Sequence, residues 1–115
     1  VNTNGVISFL RQVSQYTPDP FPLGSDRRLI APFWADVDTT KGGVVYYRQT
    51  QDLAIRTRVS EEIRRHFVRQ RRFSAKWVLI VSWLNVARFG GSSSPNVRLQ
   101  MKLFTNVKRV EEVFM

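Results

Sequence analysis

Two aspartates stand two residues apart, behind a proline, a phenylalanine and a tryptophan, in Ala31-Pro32-Phe33-Trp34-Ala35-Asp36-Val37-Asp38-Thr39-Thr40. On one face of a strand, Asp36 and Asp38 would project together and could hold a hard cation such as Ca²⁺, or divide acid and base roles in a hydrolysis. A Ca²⁺ site takes six or more oxygens, and only Asp19 and Asp26 lie near in sequence. Asp38 also heads Asp-Thr-Thr-Lys-Gly-Gly, where an aspartate bonds forward to its own backbone and opens a turn. The expected role of the pair is structural. Asp36 and Asp38 remain candidate metal ligands, and no catalytic or cofactor-binding residue is assigned.

A second cluster is basic: Arg56, Arg58, Arg64, Arg65, Arg69, Arg71 and Arg72. Arginine forks grip phosphate or sulfate bidentately, so this block is a candidate polyanion site. It comes without zinc ligands, a recognition-helix pattern or an aromatic-basic RNA-binding segment, which places nucleic acid behind a heparan-type glycan as the anion. The competing reading is a solvated helix face. Nucleophilic catalysis finds little support, because His66 is the single histidine and no Gly-x-Ser-x-Gly stretch displays a serine. Gly90-Gly91-Ser92-Ser93-Ser94 has no Gly-Lys-Ser/Thr ending and reads as a connection rather than a phosphate cradle.

The elements that must position these residues follow from the bulk and the periodicity. The chain has 115 residues, 43% hydrophobic and 12% aromatic, enough for one core. Eighteen Lys and Arg against nine Asp and Glu leave a formal charge of +9, which favours acidic partners. Cysteine is absent, so disulfides and thiolate metal sites are excluded. No apolar run nears the roughly 20 residues of a membrane-spanning helix, and no signal-peptide pattern opens the chain. The segment, starting on Val1, is expected to be an excerpt of a longer protein.

Along the chain, Asn4-Gly5 marks a turn before a short β-prone run, Val6 to Phe9. Pro18, Pro20 and Pro22 break any ladder and predict an ordered loop pinned by Tyr16, Phe21 and Leu23. Leu29 to Val37 and Gly43 to Arg48 read as strands joined into a hairpin through Asp38 to Gly43. From about residue 52 to 67 the period changes: Ile55, Val59, Ile63 and Phe67 fall four apart and predict one amphipathic helix, capped by Thr50 or Asp52. Trp77-Val78-Leu79-Ile80-Val81 lacks polar alternation and suits the centre of a sheet. Val97, Leu99, Met101 and Leu103 alternate with polar residues as a half-buried strand does. The fold class is therefore α+β, a mainly antiparallel and two-layered sheet with one helix. The expected core is Ile7, Phe9, Phe33, Trp34, Val45, Tyr47, Trp77, Leu79, Val81, Leu99, Met101 and Leu103.

Taken together, VNTNGVISF, SQYTPDPFPL, LIAPFWADVDTTKGGVVYYR, the helix with Ile63 and Phe67, and FSAKWVLIVSWLNVARFGGSSSP resemble the NIDO domain, the nidogen-type extracellular module. The alpha-tectorin and sushi, nidogen and EGF-like branch is the most similar. The resemblance runs to about residue 104 of a single domain spanning 1–115, expected to be cut at both ends. Thr105-Asn106-Val107 departs from the Asp-Gly turn of the family. The resemblance implies a secreted or cell-surface parent, a non-catalytic role in cell–matrix adhesion or matrix assembly, matrix or cell-surface proteins as partners, and no cofactor. Contact would run through exposed loops such as Thr17 to Gly24 and Phe89 to Pro95.

Overall fold

The computed structural model describes residues 1–90 with their side chains and 97–105 by their backbone. Among the described residues six strands and one α-helix follow in the order β1 (Ile7–Phe9), β2 (Arg28–Ile30), β3 (Val37–Asp38), β4 (Val44–Thr50), α1 (Leu53–His66), β5 (Trp77–Arg88) and β6 (Val97–Thr105). Strands β1 and β2 form one antiparallel sheet, with Ile7 opposite Ile30 and Phe9 opposite Arg28. In the other sheet β3, β4 and β6 all pair with β5. This is the expected α+β class with antiparallel sheets. The chain divides into two compact units, one built on Val1–Tyr46 and Val81–Met101, the other on Tyr47–Ile80.

Strand β5 is the sheet centre that its unalternating run predicts. Trp77, Val78, Leu79, Val81, Trp83 and Val86 are all buried on it. Burial of successive residues means both faces are covered, which only an apolar run tolerates. In the first unit Val6, Ile7 and Val13 are buried as well, and Trp83 is 1% exposed.

Helix α1 begins as the sequence suggests, with a division of labour between the two candidate caps. The Asp52 carboxylate accepts from the Ile55 N–H at 3.0 Å, and the Thr50 hydroxyl accepts from the Asp52 N–H at 3.0 Å. Val59 joins Ala75 and Val78 in a buried cluster against which Ile55, Phe73 and Ile80 pack. Phe67 is a correction. The helix ends at His66, Phe67 takes an extended backbone (φ −119°, ψ 97°), and its ring leaves the apolar stripe to stand 55% exposed.

The hairpin expectation also fails. Val37 pairs with Arg88 and Asp38 with Ala87, so β3 runs antiparallel to β5. Gly43 abuts Val86 and Gln49 bonds Trp77, so β4 runs antiparallel to β5 too. The chain therefore keeps its direction through Thr39–Lys41, which form a single 3-10 turn between two strands pairing with the same partner. Gly43 sits at φ +84°, and a Cβ there would come within 2.5 Å of the Val86 Cα. Opposite it, Asn85 holds φ +53°, a conformation that asparagine accepts better than most residues.

Two further core expectations are corrected. Phe33 is 43% exposed because residues 31–36 form no strand, with Pro32 and Phe33 in a bend, and its carbonyl, not its ring, is the part turned against Gly5. Tyr47 is 48% exposed because β4 pairs only with β5 among the described strands and presents most of its residues to solvent. Phe9, Trp34 and Val45 are half-buried. The side chains of Leu99, Met101 and Leu103, residues 91–95 of the Phe89 to Pro95 loop together with Asn96, and the 106–115 tail lie outside the described residues.

Candidate functional site

Two asparagines, Asn2 and the Asn4 that marks the turn, organise the first unit. Asn2 uses every polar group it has. Its N–H donates to the Val6 carbonyl at 2.9 Å, its Oδ1 accepts from the Val6 N–H at 3.0 Å, its Nδ2 donates to the Val13 carbonyl at 3.0 Å, and its carbonyl accepts from Trp83 Nε1 at 3.0 Å. Asn4 does the same for the opening motif: its carbonyl accepts from the Ala35 N–H at 3.1 Å and its Oδ1 from the Val37 N–H at 3.0 Å. One side chain thus extends a strand-like ladder to a stretch that cannot form one. The Phe-Trp-Ala-Asp-Val block is read by the Asn-Thr-Asn-Gly block through backbone bonds.

Both carboxylates of that block have local positions. The Asp38 Oδ1 accepts from the Thr40 N–H at 3.0 Å and from the Thr40 hydroxyl at 2.5 Å, capping the 3-10 turn. Asp36 is half-buried, and its carbonyl accepts from the Phe89 N–H at 3.0 Å. Among the described residues no three His, Asp or Glu side chains gather where they could hold a metal ion.

The proline-rich loop is held from beneath rather than by its own apolar residues. Arg27 donates through one terminal nitrogen to the Asp19 carboxylate and the Gln15 Oε1, each at 2.7 Å, and through Nε to the Gly24 carbonyl at 3.0 Å. Trp34 Nε1 donates to the Gln15 carbonyl at 3.2 Å, and the Phe21 ring meets Trp34 edge-on with centroids 6.4 Å apart. Tyr16 stands 59% exposed, against the expectation that it pins the loop; Phe21 is 63% exposed yet holds the Trp34 contact, and Leu23 is half-buried. The sequence signal for this arrangement, an Arg with Gln and Asp within reach across a proline loop, is too common to read unaided.

The Arg27 hydrogen bond, with help from Gln15, holds the Asp19 pKa below the usual carboxylate range, and the Thr40 hydroxyl does so for Asp38. A carboxylate lowered in the folded state stabilises fully above its unfolded value near ~3.9 and loses that contribution as pH falls through the lower folded value. Stability should therefore drop on acidification below about pH 4. In Asp38→Asn the acid-side loss, followed by tyrosine and tryptophan fluorescence against pH, should be smaller than in the parent chain.

In the second unit the seven arginines separate into two groups. Arg56, Ser60 and Arg64 recur every fourth residue and form one polar line along α1. Arg56 Nε donates to the Ala75 carbonyl at 2.8 Å, and Arg64 Nε donates to the Phe73 carbonyl at 2.7 Å. Between them the Ser60 hydroxyl donates to the Arg56 carbonyl at 2.7 Å and accepts from the Ala75 N–H at 2.8 Å. Arg56 and Arg64 are thereby committed to docking the 73–75 backbone on the helix. Ser60 is 4% exposed, so Ser60→Ala would strand a buried N–H and should lower stability by about 1–3 kcal/mol in urea denaturation. Arg58, Arg65, Arg69, Arg71 and Arg72 are exposed and make no ion pair with the described carboxylates. His66 Nδ1 sits 2.8 Å from the Glu62 carbonyl at the exposed end of α1.

A nidogen-like domain model matches residues 1–110. The chain belongs to the NIDO family. It is 52% identical to mouse alpha-tectorin over 97 residues, which is 84% of this chain and 4% of that protein. Against mouse nidogen-1 it is 40% identical over 98 residues, 82% of this chain and 8% of the relative, and against Drosophila nidogen 30% over 109 residues, 92% and 8%. The NIDO chain thus spans less than a tenth of these relatives' length. No solved structure matches it. Alpha-tectorin and nidogen are extracellular matrix proteins, and this NIDO domain is extracellular in the same way. Among the described residues no helix is long and apolar enough to cross a membrane.

Proposed function

We propose that this NIDO domain is a non-catalytic contact module of a matrix or cell-surface protein, serving matrix assembly or cell–matrix adhesion through its proline-rich loop. The observation that carries this reading is the pair of exposed aromatics, Tyr16 and Phe21, on a loop braced by Arg27, Gln15 and Trp34. Aromatic rings held in place by a scaffold contribute contact area at small entropic cost, as interface anchors do. The test is incorporation of the full secreted chain into matrix laid down by cultured cells. Changing Tyr16 and Phe21 to alanine should lower incorporation at least tenfold with secretion and thermal midpoint unchanged, an effect of about 1.4 kcal/mol or more. Equal incorporation would remove this loop as the contact.

A second reading rests on Arg58, Arg65, Arg69, Arg71 and Arg72, which are exposed without acidic partners among the described residues. For an extracellular domain of charge +9 the matching polyanion is a sulfated glycan rather than nucleic acid. On a heparin column, changing Arg69, Arg71 and Arg72 to glutamine should lower the eluting salt concentration more than changing Arg11, Arg28 and Arg48. Equal shifts would reduce the effect to net charge.

A further inference from the structure

The chain leaves α1 through Val68-Arg69-Gln70-Arg71-Arg72-Phe73. Arg69 to Arg72 are all exposed, in one 3-10 turn, Val68–Gln70, and the turn residues after it. Two backbone bonds close this stretch: the Gln70 N–H donates to the Phe67 carbonyl at 2.8 Å, and the Phe73 N–H to the Gln70 carbonyl at 3.0 Å. The six residues wall an open depression of about 410 Å³ that has no carboxylate in its lining.

We propose that the Arg72–Phe73 peptide bond is a processing site for a subtilisin-type proprotein convertase of the secretory pathway. Endoproteases of this class carry acidic pockets for arginine at the first, second and fourth positions before the cut, and charge complementarity of this kind sets their specificity. Arg72, Arg71 and Arg69 occupy those three positions. Hydrolysis adds one water across the bond, leaving a carboxylate on Arg72 and an ammonium on Phe73, with no cofactor or redox partner. The domain's extracellular location takes the chain through the compartment where such proteases act. The site does not depend on which molecule the domain contacts.

The other paired arginines show why this one is singled out. Arg27-Arg28 has Ser25 at the fourth position, and Arg27 is paired with Asp19 at 2.7 Å. Arg64-Arg65 lies inside α1 with Glu62 at the fourth position, a charge that acidic pockets repel. Proteases bind substrate as an extended strand, so cleavage needs local opening, which is easiest where few hydrogen bonds hold the backbone. Arg71-Arg72 alone among these pairs combines a basic fourth residue with a backbone outside helix and strand.

Phe73 sets how far the opening must go. Its carbonyl is held by Arg64 Nε at 2.7 Å and its ring packs against the Val59, Ala75 and Val78 cluster, so exposing the bond breaks this contact and the two turn bonds and draws the ring off the cluster, whose three buried members keep their own packing. After the cut, Ala75 remains bonded to Arg56 and Ser60, which keeps the C-terminal fragment docked on α1 near its new N-terminus. Arg64 is thus a brake on cleavage, and the product is a nicked domain that holds together.

The test uses the full-length secreted chain, purified from convertase-deficient cells and incubated with purified convertase and Ca²⁺, with fragment N-termini read by mass spectrometry. The expected result is a cut before Phe73, with the fragments co-eluting on native size exclusion. Arg69→Ala should slow the cut at least tenfold and Arg64→Ala should speed it several-fold. If Arg69→Ala is not secreted, the neutral and polar Arg69→Gln gives the same comparison. A folded chain left intact at this bond, whether or not its heat-denatured form is cut, overturns the proposal, as does an Arg69 variant cut at the parent rate.

Discussion

Gly5→Ala should destabilise the NIDO domain by about 3–5 kcal/mol, with left-handed strain and lost backbone bonds both contributing. Gly5 has φ +80°, and a Cβ built there would overlap the carbonyl of Phe33. The obstruction is backbone, so no rotamer change relieves it. Moving either segment pulls Asn4 away from Ala35 and Val37, whose N–H groups then lose their acceptors. Gly24→Ala is the matched control. Its φ is not left-handed, nothing lies within 4 Å of an added Cβ, and its change should stay within about 0.5 kcal/mol. Urea denaturation of the two variants side by side makes the comparison. Near-equal midpoints would mean the Gly5–Phe33 approach is not what holds these two blocks together.

The second large effect is expected at Trp83. The side chain is 1% exposed, and its Nε1 donates to the Asn2 carbonyl at 3.0 Å. Trp83→Ala removes the largest fully buried side chain among the described residues and should cost about 3–5 kcal/mol through lost burial and the cavity left behind. Trp83→Phe separates the two contributions, since it keeps most of the apolar volume but leaves the Asn2 carbonyl without its donor. A loss of about 1–3 kcal/mol is expected from that step. Were the phenylalanine variant as unstable as the alanine one, the hydrogen bond to Asn2 rather than the retained apolar volume would dominate this part of the core.

Much of the helix and of β5 was legible in the residues. Four-residue spacing of Ile55, Val59 and Ile63 located α1, Asp52 and Thr50 marked its start, and the Trp77 to Val81 run identified the strand paired with three others. Each signal is local, because a helix or a doubly covered strand imposes its own period on its own residues. The arginines were legible as a basic block but not as two groups. Arg56 and Arg64 differ from Arg65 and Arg69 in what lies opposite them, and the 73–75 backbone that claims them comes from outside the helix.

What the sequence alone determined is the class, the helix, the central strand, the family and the structural role of Asp38, all of which follow from side-chain period, turn chemistry and the order of motifs. Tertiary structure decided the direction of the chain through Thr39–Lys41, since the same turn residues serve a reversal or a one-turn interruption, and only pairing with β5 selects between them. It also decided that Phe33, Tyr47 and Phe67 face solvent while Asn2 is fully bonded. Exposure depends on which neighbours arrive across the fold, and a residue's own type carries no record of them.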